Sequence, residues 1–151
     1  MPRIQVGDAA PEFSLKTHSG EEIRLRQFRN QKAVVLFFYP KDNTAICTRE
    51  ACAFRDAYEQ FVDAGAVVIG VSADSSDSHS AFAAKHNLPF YLASDADGSL
   101  RKLFAVPKTL GFLPGRVTYV IDKQGIVQLV FNAQLTADGH VQEALKALGL
   151  T

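Results

Sequence analysis

The chain has 151 residues, 47% hydrophobic and 21% charged, ordinary globular usage that excludes an intrinsically disordered protein. A chain of this length predicts one domain spanning residues 1–151, burying roughly 70% of the surface its unfolded form exposes, with no need of disulfide staples or structural metal. Sixteen Lys and Arg balance sixteen Asp and Glu, so no global field steers the protein to nucleic acid or an acidic membrane, and neither is expected as a partner.

Residues 1–8 hold no apolar core of the length a secretory signal needs. The longest apolar run, residues 33–39, is far short of the ~20 residues that span a bilayer. The expectation is a soluble, cytoplasmic protein. That run, Ala33-Val34-Val35-Leu36-Phe37-Phe38-Tyr39, is β-branched and aromatic and is stopped by Pro40; it predicts a central strand buried on both faces. Over residues 48–64, Ala51, Phe54, Tyr58, Phe61 and Val62 recur at helical spacing. Residues 66–71 repeat the strand character, completing a βαβ unit with a right-handed crossover. Residues 77–86 read as an added helix. Residues 117–122 and 126–131 flank Lys123-Gln124-Gly125, a hairpin signal. A final helix carries Val141, Ala144, Leu145 and Leu148 on one face. A βαβ half followed by a ββα half predicts an α/β fold with a sheet of mixed direction. Residues 104–114 are apolar for a loop and suit a cover over the sheet end or a self-association patch.

Two cysteines occur, Cys47 and Cys52, too few for a secreted disulfide scaffold and wrongly spaced for Cys-x-x-Cys. Sites in open α/β sheets lie beyond the carboxyl ends of the strands. Cys47 falls there, where a strand ends and a helix begins. The free N–H groups and positive dipole end of a helix stabilise an anion, and the thiolate is the nucleophile in peroxide and disulfide chemistry. Extrapolated back one turn, the helix puts Cys47 on the side of Ala51, Phe54 and Tyr58, with Cys52 about 140° further round toward the polar face. In an intact helix the two Cα atoms stand about 8.6 Å apart, beyond the roughly 4.4–6.8 Å a disulfide requires. A Cys47 sulfenic acid could therefore reach Cys52 only after local unwinding. On position alone, two inert thiols of no functional meaning stand as the alternative reading.

The stretch FFYPKDNTAICTREACAFRD, with GDAAPEFSL before it and VIGVSADS, SHSAFAAKHNLPF and GRVTYVIDKQG after it, resembles the peroxiredoxins along nearly the whole chain, specifically the bacterioferritin comigratory protein or Q-type group. The resemblance implies a thioredoxin-like fold: a mixed central sheet flanked by helices, with an N-terminal extension. It implies a thiol peroxidase acting on hydrogen peroxide and organic hydroperoxides. Cys47 would become a sulfenic acid, and Cys52 would resolve it as an intramolecular disulfide that a thioredoxin-type protein reduces. Thr44 would hydrogen-bond the peroxide and Pro40 would shield the pocket from water. Arg116, 69 residues downstream, would donate to the thiolate and the peroxide oxygens, a task suited to a fixed, permanently charged fork of donors. No metal, flavin, haem or other cofactor is implied, and the expected assembly is a monomer or weak homodimer. One departure stands out: Ala45-Ile46 replaces the family's usual Pro-Gly, which changes backbone freedom just before the reactive cysteine.

Among the other polar residues, Glu50 reads as a carboxylate meeting the helix dipole, with proton handling as the alternative. Lys41 and Asp42 read as loop polarity. His18, His79, His86 and His140 show no ligand spacing and read as surface or cap residues; His79 and His86 are seven apart rather than the i, i+4 of a helical metal pair. Two rival functions share the fold. A thiol–disulfide oxidoreductase is disfavoured by the missing Cys-x-x-Cys, and a redox-sensing or chaperone-like module without turnover is suggested only by Ala45-Ile46.

Overall fold

In the computed structural model, which describes residues 4–107, 115–134 and 136–149, the apolar run beginning at Ala33 forms strand β3 (Ala33–Phe38), buried at every position. The reason lies in its alternation. Ala33, Val35, Phe37 and Tyr39 enter one core with Phe54, Phe61 and Leu145, while Val34, Leu36 and Phe38 enter a second with Phe13, Ile23, Phe104 and Tyr119. A strand covered on both faces has no polar side to show, hence the unbroken apolar sequence.

The sheet is mixed, in the order β5-β4-β3-β6-β7. Strand β4 (Ala66–Ser72) runs parallel to β3, and β5 (Tyr91–Ser94) runs parallel to β4. Strands β6 (Val117–Ile121) and β7 (Val127–Asn132) form the expected hairpin, β6 antiparallel to β3 and β7 antiparallel to β6, with a register shift at Val120 and Ile121. Gly125 takes φ +82° in the turn, the left-handed region glycine enters without penalty. Helix α5 (Asp138–Ala147) buries Val141, Ala144 and Leu145, as its spacing predicts.

The helix expected over 48–64 is two helices. Helix α1 (Ala45–Asp56) begins three residues earlier than the apolar periodicity shows, and Ala57 separates it from α2 (Tyr58–Asp63). Phe54 and Phe61 stay fully buried across the break, so the periodicity survives it; Val62, expected on the inner face, is 50% exposed. Helix α3 (Ser76–His86) is the added helix, capped by the Ser75 side chain accepting from the Ser78 N–H and closed by Asn87 in the left-handed region. The short elements had no periodicity to betray them: β1 (Ser14–Lys16), β2 (Glu22–Arg24), β5 and α4 (Ser99–Leu103) are three to five residues each. The β1–β2 hairpin is the N-terminal extension, and Thr17 bridges to Ala93 beside the sheet edge. Of the apolar segment 104–114, residues 108–114 lie outside the described residues. No helix among the described residues is long and apolar enough to cross a membrane.

The tightest approach to the core sheet is in β4. A Cβ on Gly70 would stand 2.7 Å from Phe37 Cζ and 2.9 Å from Leu92 Cδ2, and the Phe37 ring cannot retreat because it stacks on Phe54 at 4.4 Å. Gly70→Ala should therefore destabilise the fold by about 1–3 kcal/mol through overpacking. A lower urea midpoint at unchanged slope is the expected result, and an unchanged midpoint would show that this part of the core yields.

Candidate active site

Helix α1 follows β3 after the segment 39–44, and Cys47 is its third residue, 1% exposed. The first N–H groups of any helix have no partner within it, so the sulfur sits at the positive end of the dipole. Thr44 is the N-cap residue in extended conformation. Its hydroxyl makes no cap bond and donates instead to the Lys41 carbonyl at 2.9 Å. Pro40 is half-buried at the end of the strand, and the Tyr39 carbonyl before it accepts from Arg101 Nη2 at 2.9 Å.

The long sequence separation between Cys47 and Arg116 is closed by strand pairing. The register of β3 against β6 places Phe38 opposite Val117, so Arg116 enters the sheet where the chain turns toward α1. Arg116 Nη2 donates to Cys47 Sγ at 3.1 Å. Three more of its N–H groups are engaged: Nη1 meets Glu50 Oε1 at 2.6 Å, Nε donates to the Gln134 carbonyl at 3.2 Å, and the backbone N–H reaches Gln134 Oε1 at 3.0 Å. The buried guanidinium is thus held in one orientation. Cys52, five residues on, lies partly buried within the same continuous helix, and both thiols are free.

Glu50 was expected to face the helix dipole, but it is the sixth residue of α1, fully buried against Arg116. Burial pushes its pKa up to about 8, against the charge and hydrogen bond of Arg116, which pull it down. His140, expected at the surface, is fully buried on α5. Its Nδ1 lies 2.8 Å from Thr118 Oγ1 and its Nε2 lies 2.7 Å from the Ala133 carbonyl. Burial pushes its pKa down to about 4; the Ala133 bond opposes this and the Arg116 charge adds to it.

Asp42 and His79 are likewise not the surface residues expected. Asp42 accepts from Tyr39 Oη at 2.6 Å and from Ser78 Oγ at 2.8 Å, and it meets His79 Nδ1 at 2.8 Å. Burial opposes its ionisation, but the His79 and Tyr39 bonds outweigh that and hold its carboxyl below the usual range. His79 Nε2 lies 3.0 Å from the Ala93 carbonyl. This cluster ties the segment before α1 to α3 and β5. Residue patterns gave no sign of Arg101, which brings a second guanidinium to the end of β3. It donates to the Tyr39 and Gly115 carbonyls and lies over the Phe38 ring at 5.6 Å. Glu50 stood out in the sequence but not its burial, which its i, i+3 spacing to the inward-facing Cys47 could have shown; Arg101 had no local signal, and nothing local turned His140 inward. Among the described residues, no group of three or more His, Cys, Asp or Glu is placed to hold a metal ion.

A buried thiol at a helix start, gripped by a fixed guanidinium, can support an anionic sulfur and donate to an oxygen delivered beside it. Residues 6–130 match the model of the AhpC/TSA family. The chain belongs to that family. It is 51% identical over 147 residues to Peroxiredoxin Q, chloroplastic, from Sedum lineare, covering 97% of this chain and 78% of that one. The Arabidopsis thaliana protein of the same name is also 51% identical, with 97% and 68% covered. Among solved structures, Peroxidoxin BcpB from Mycobacterium tuberculosis superposes with a TM-score of 0.89 at 35% identity, covering 97% of each chain. Peroxiredoxin Q from Xanthomonas campestris gives 0.85 at 31%, covering 97% of this chain and 95% of that one. This AhpC/TSA protein is a peroxiredoxin, a thiol peroxidase, and its fold is the thioredoxin-like one.

The buried His140 makes stability depend on pH. Its pKa in the folded protein, about 4, is below the ordinary 6.5, so the unfolded chain binds more protons between those values. Its contribution is complete above about pH 6.5 and drains away as pH falls toward 4. Denaturant midpoints of the wild type and His140→Gln should converge as pH drops through that window; parallel profiles would mean that His140 charges without cost.

Proposed function

We propose that Cys47 is the peroxidatic nucleophile and Cys52 the resolving thiol. The Cys47 thiolate attacks the terminal oxygen of a hydroperoxide, the O–O bond breaks, and the departing oxygen takes a proton to leave as water or an alcohol. Cys47 is left as a sulfenic acid. The Cys52 thiol then displaces water from it to form a disulfide, and a dithiol of the thioredoxin type reduces that bond by exchange. The observation that carries this reading is the 3.1 Å contact of Arg116 Nη2 with a buried sulfur at the start of a helix. Arg116 donates to the sulfur and then to the oxygens between which charge moves, a preorganised stabilisation of the transition state. Thr44 turns its hydroxyl from the Lys41 carbonyl to the peroxide, and Pro40 keeps bulk water from the pocket. Because both thiols lie in α1, its early turns unwind before the disulfide closes, and Ala45-Ile46 sets how readily they do.

Action as a monomer or weak homodimer is proposed from the resemblance alone. Cytoplasm is the proposed place of action on the sequence alone; the plant relatives are named for the chloroplast. The peroxide class is hydrogen peroxide and small organic hydroperoxides, as the resemblance implies.

One equivalent of hydrogen peroxide, followed within seconds by intact mass and thiol count, tests the chemistry. Both thiols should vanish with a loss of about 2 Da and no dimer. Cys47→Ser should stop all oxidation, whereas Cys52→Ser should consume one equivalent and then stall as a sulfenic acid. Two thiols persisting for minutes in the wild type would overturn the reading. Arg116→Met should slow the first oxidation on the order of 100-fold, the usual loss for one preorganised donor.

A further inference from the structure

The ladder between β3 and β6 ends at the pair Phe38 and Val117. One step further, the Tyr39 N–H donates to the Val71 carbonyl of β4 at 3.0 Å, and the Arg116 N–H turns to Gln134 Oε1. The two chains part at this point. One leads to Pro40, Thr44 and Cys47, and the other carries Arg116. A peroxide has to meet groups from both, so the spacing between them matters to the reaction.

Arg101 takes over where the ladder stops. Its Nη2 donates to the Tyr39 carbonyl at 2.9 Å and its Nη1 to the Gly115 carbonyl at 3.3 Å. One planar fork thus joins the residue before Pro40 to the residue before Arg116. The fork is itself held. Its central carbon lies over the Phe38 ring at 5.6 Å, and the buried Asp95 accepts from the Leu100 N–H at 2.9 Å and the Arg101 N–H at 3.0 Å. Asp95 is tied in turn to β4, its N–H donating to the Ser72 carbonyl at 2.7 Å. Gly115 is wedged against Pro107, whose carbonyl oxygen a Cβ there would strike. Arg101 Nε is buried with no hydrogen-bond partner among the described residues. Keeping both terminal nitrogens on the two carbonyls therefore leaves one donor unmet, a cost that a side chain reaching into water would not bear.

We propose that Arg101 is a positioning residue for peroxide reduction, a clamp that fixes Arg116 against the segment leading into Cys47. The inference rests on Cys47 being the reacting thiol. Arg101 acts through Arg116 and does not touch peroxide. Glu50 reaches Arg116 from within α1, downstream of Cys47, and Arg101 supplies the matching tie upstream, at the residue before Pro40. With the downstream tie alone, residues 40–44 would be free to shift against the guanidinium. The clamp needs the planar fork and not merely a positive charge, because two carbonyls on different segments require two donors in fixed geometry. A lysine ammonium is a compact charge on a flexible stem and does not reproduce that fork. Spacing of this kind matters because a misplacement of about 1 Å can slow a reaction roughly 100-fold.

Stopped-flow oxidation of Cys47 by hydrogen peroxide tests the clamp. Arg101→Met should slow the first oxidation about tenfold, a partial misplacement on that scale. Arg101→Lys, which keeps the stem and the charge, should be slowed about as much; a lysine variant as fast as the wild type overturns the clamp, since charge alone would then suffice. In an Arg116→Met background, Arg101→Met should cost less than about twofold, because the donor being positioned is already gone. A full tenfold loss in both backgrounds is what a merely structural role would give, and it overturns action through Arg116. Should Arg101→Met fail to fold, Arg101→Lys enters the same cycle with Arg116→Met. Amide hydrogen exchange, read before any peroxide is added, should quicken at Arg116 in either Arg101 variant, and unchanged exchange there overturns the tie. A wild type that oxidises Cys47 beside an equally fast Arg101→Met removes the clamp and leaves the peroxidase reading standing.

Discussion

The antiparallel pairing of β6 with β3 is the constraint on which the site depends. Phe38 lies opposite Val117, and because residues just beyond a paired position stay close, Arg116 meets the turn that leads to Cys47. A slip of one residue would turn Val117 and Tyr119 out of the core they share with Phe104 and Phe38. The packing of the sheet therefore enforces the register, and the register delivers the guanidinium to the sulfur. Arg101 adds a second tie at the same place, bridging the Tyr39 carbonyl at the end of β3 to the Gly115 carbonyl just before Arg116.

Burying this many charged and polar groups is costly unless each has a partner. Arg116 meets that demand with Glu50, Cys47 and Gln134. The fixed orientation that results is what a stabiliser of moving charge requires, because donors already in place need no reorganisation when the O–O bond breaks. Glu50, one turn beyond Cys47, is one of those partners and shares the guanidinium with the sulfur.

Helix α1 has two tasks that pull against each other. Cys47, Ala51 and Phe54 anchor it in the same core as Phe37, which holds the thiol in place for the first of the two proposed reactions. The proposed second reaction needs those turns to open, since both cysteines lie within one helix. The Tyr39–Asp42–His79 cluster bounds that opening on its upstream side, and the break at Ala57 bounds it downstream. Between those limits the helix begins at Ala45-Ile46, where a residue pair without proline or glycine continues smoothly into the helical turn.

Some features were legible from residue order because they are local. The strand at Ala33–Phe38, the paired strand at Ala66–Ser72, the Gly125 hairpin and the position of Cys47 at a strand-to-helix junction each follow from periodicity, turn chemistry or chain polarity, and the motif around Cys47 pointed to peroxide chemistry through its resemblance. The helix break at Ala57 was hidden, since Phe54 and Phe61 keep the same face across it. Asp42, His79, Glu50 and His140 were misread as surface or cap residues for a common reason: a polar side chain can be buried only when a distant partner is present, and residue order alone does not show which distant segments meet. Sequence by itself determined where along the chain a cysteine meets a strand-to-helix junction and which faces must be dry. Tertiary structure decided which charges share the buried space around it, because that depends on strand register and helix docking across separations of 66 and 69 residues.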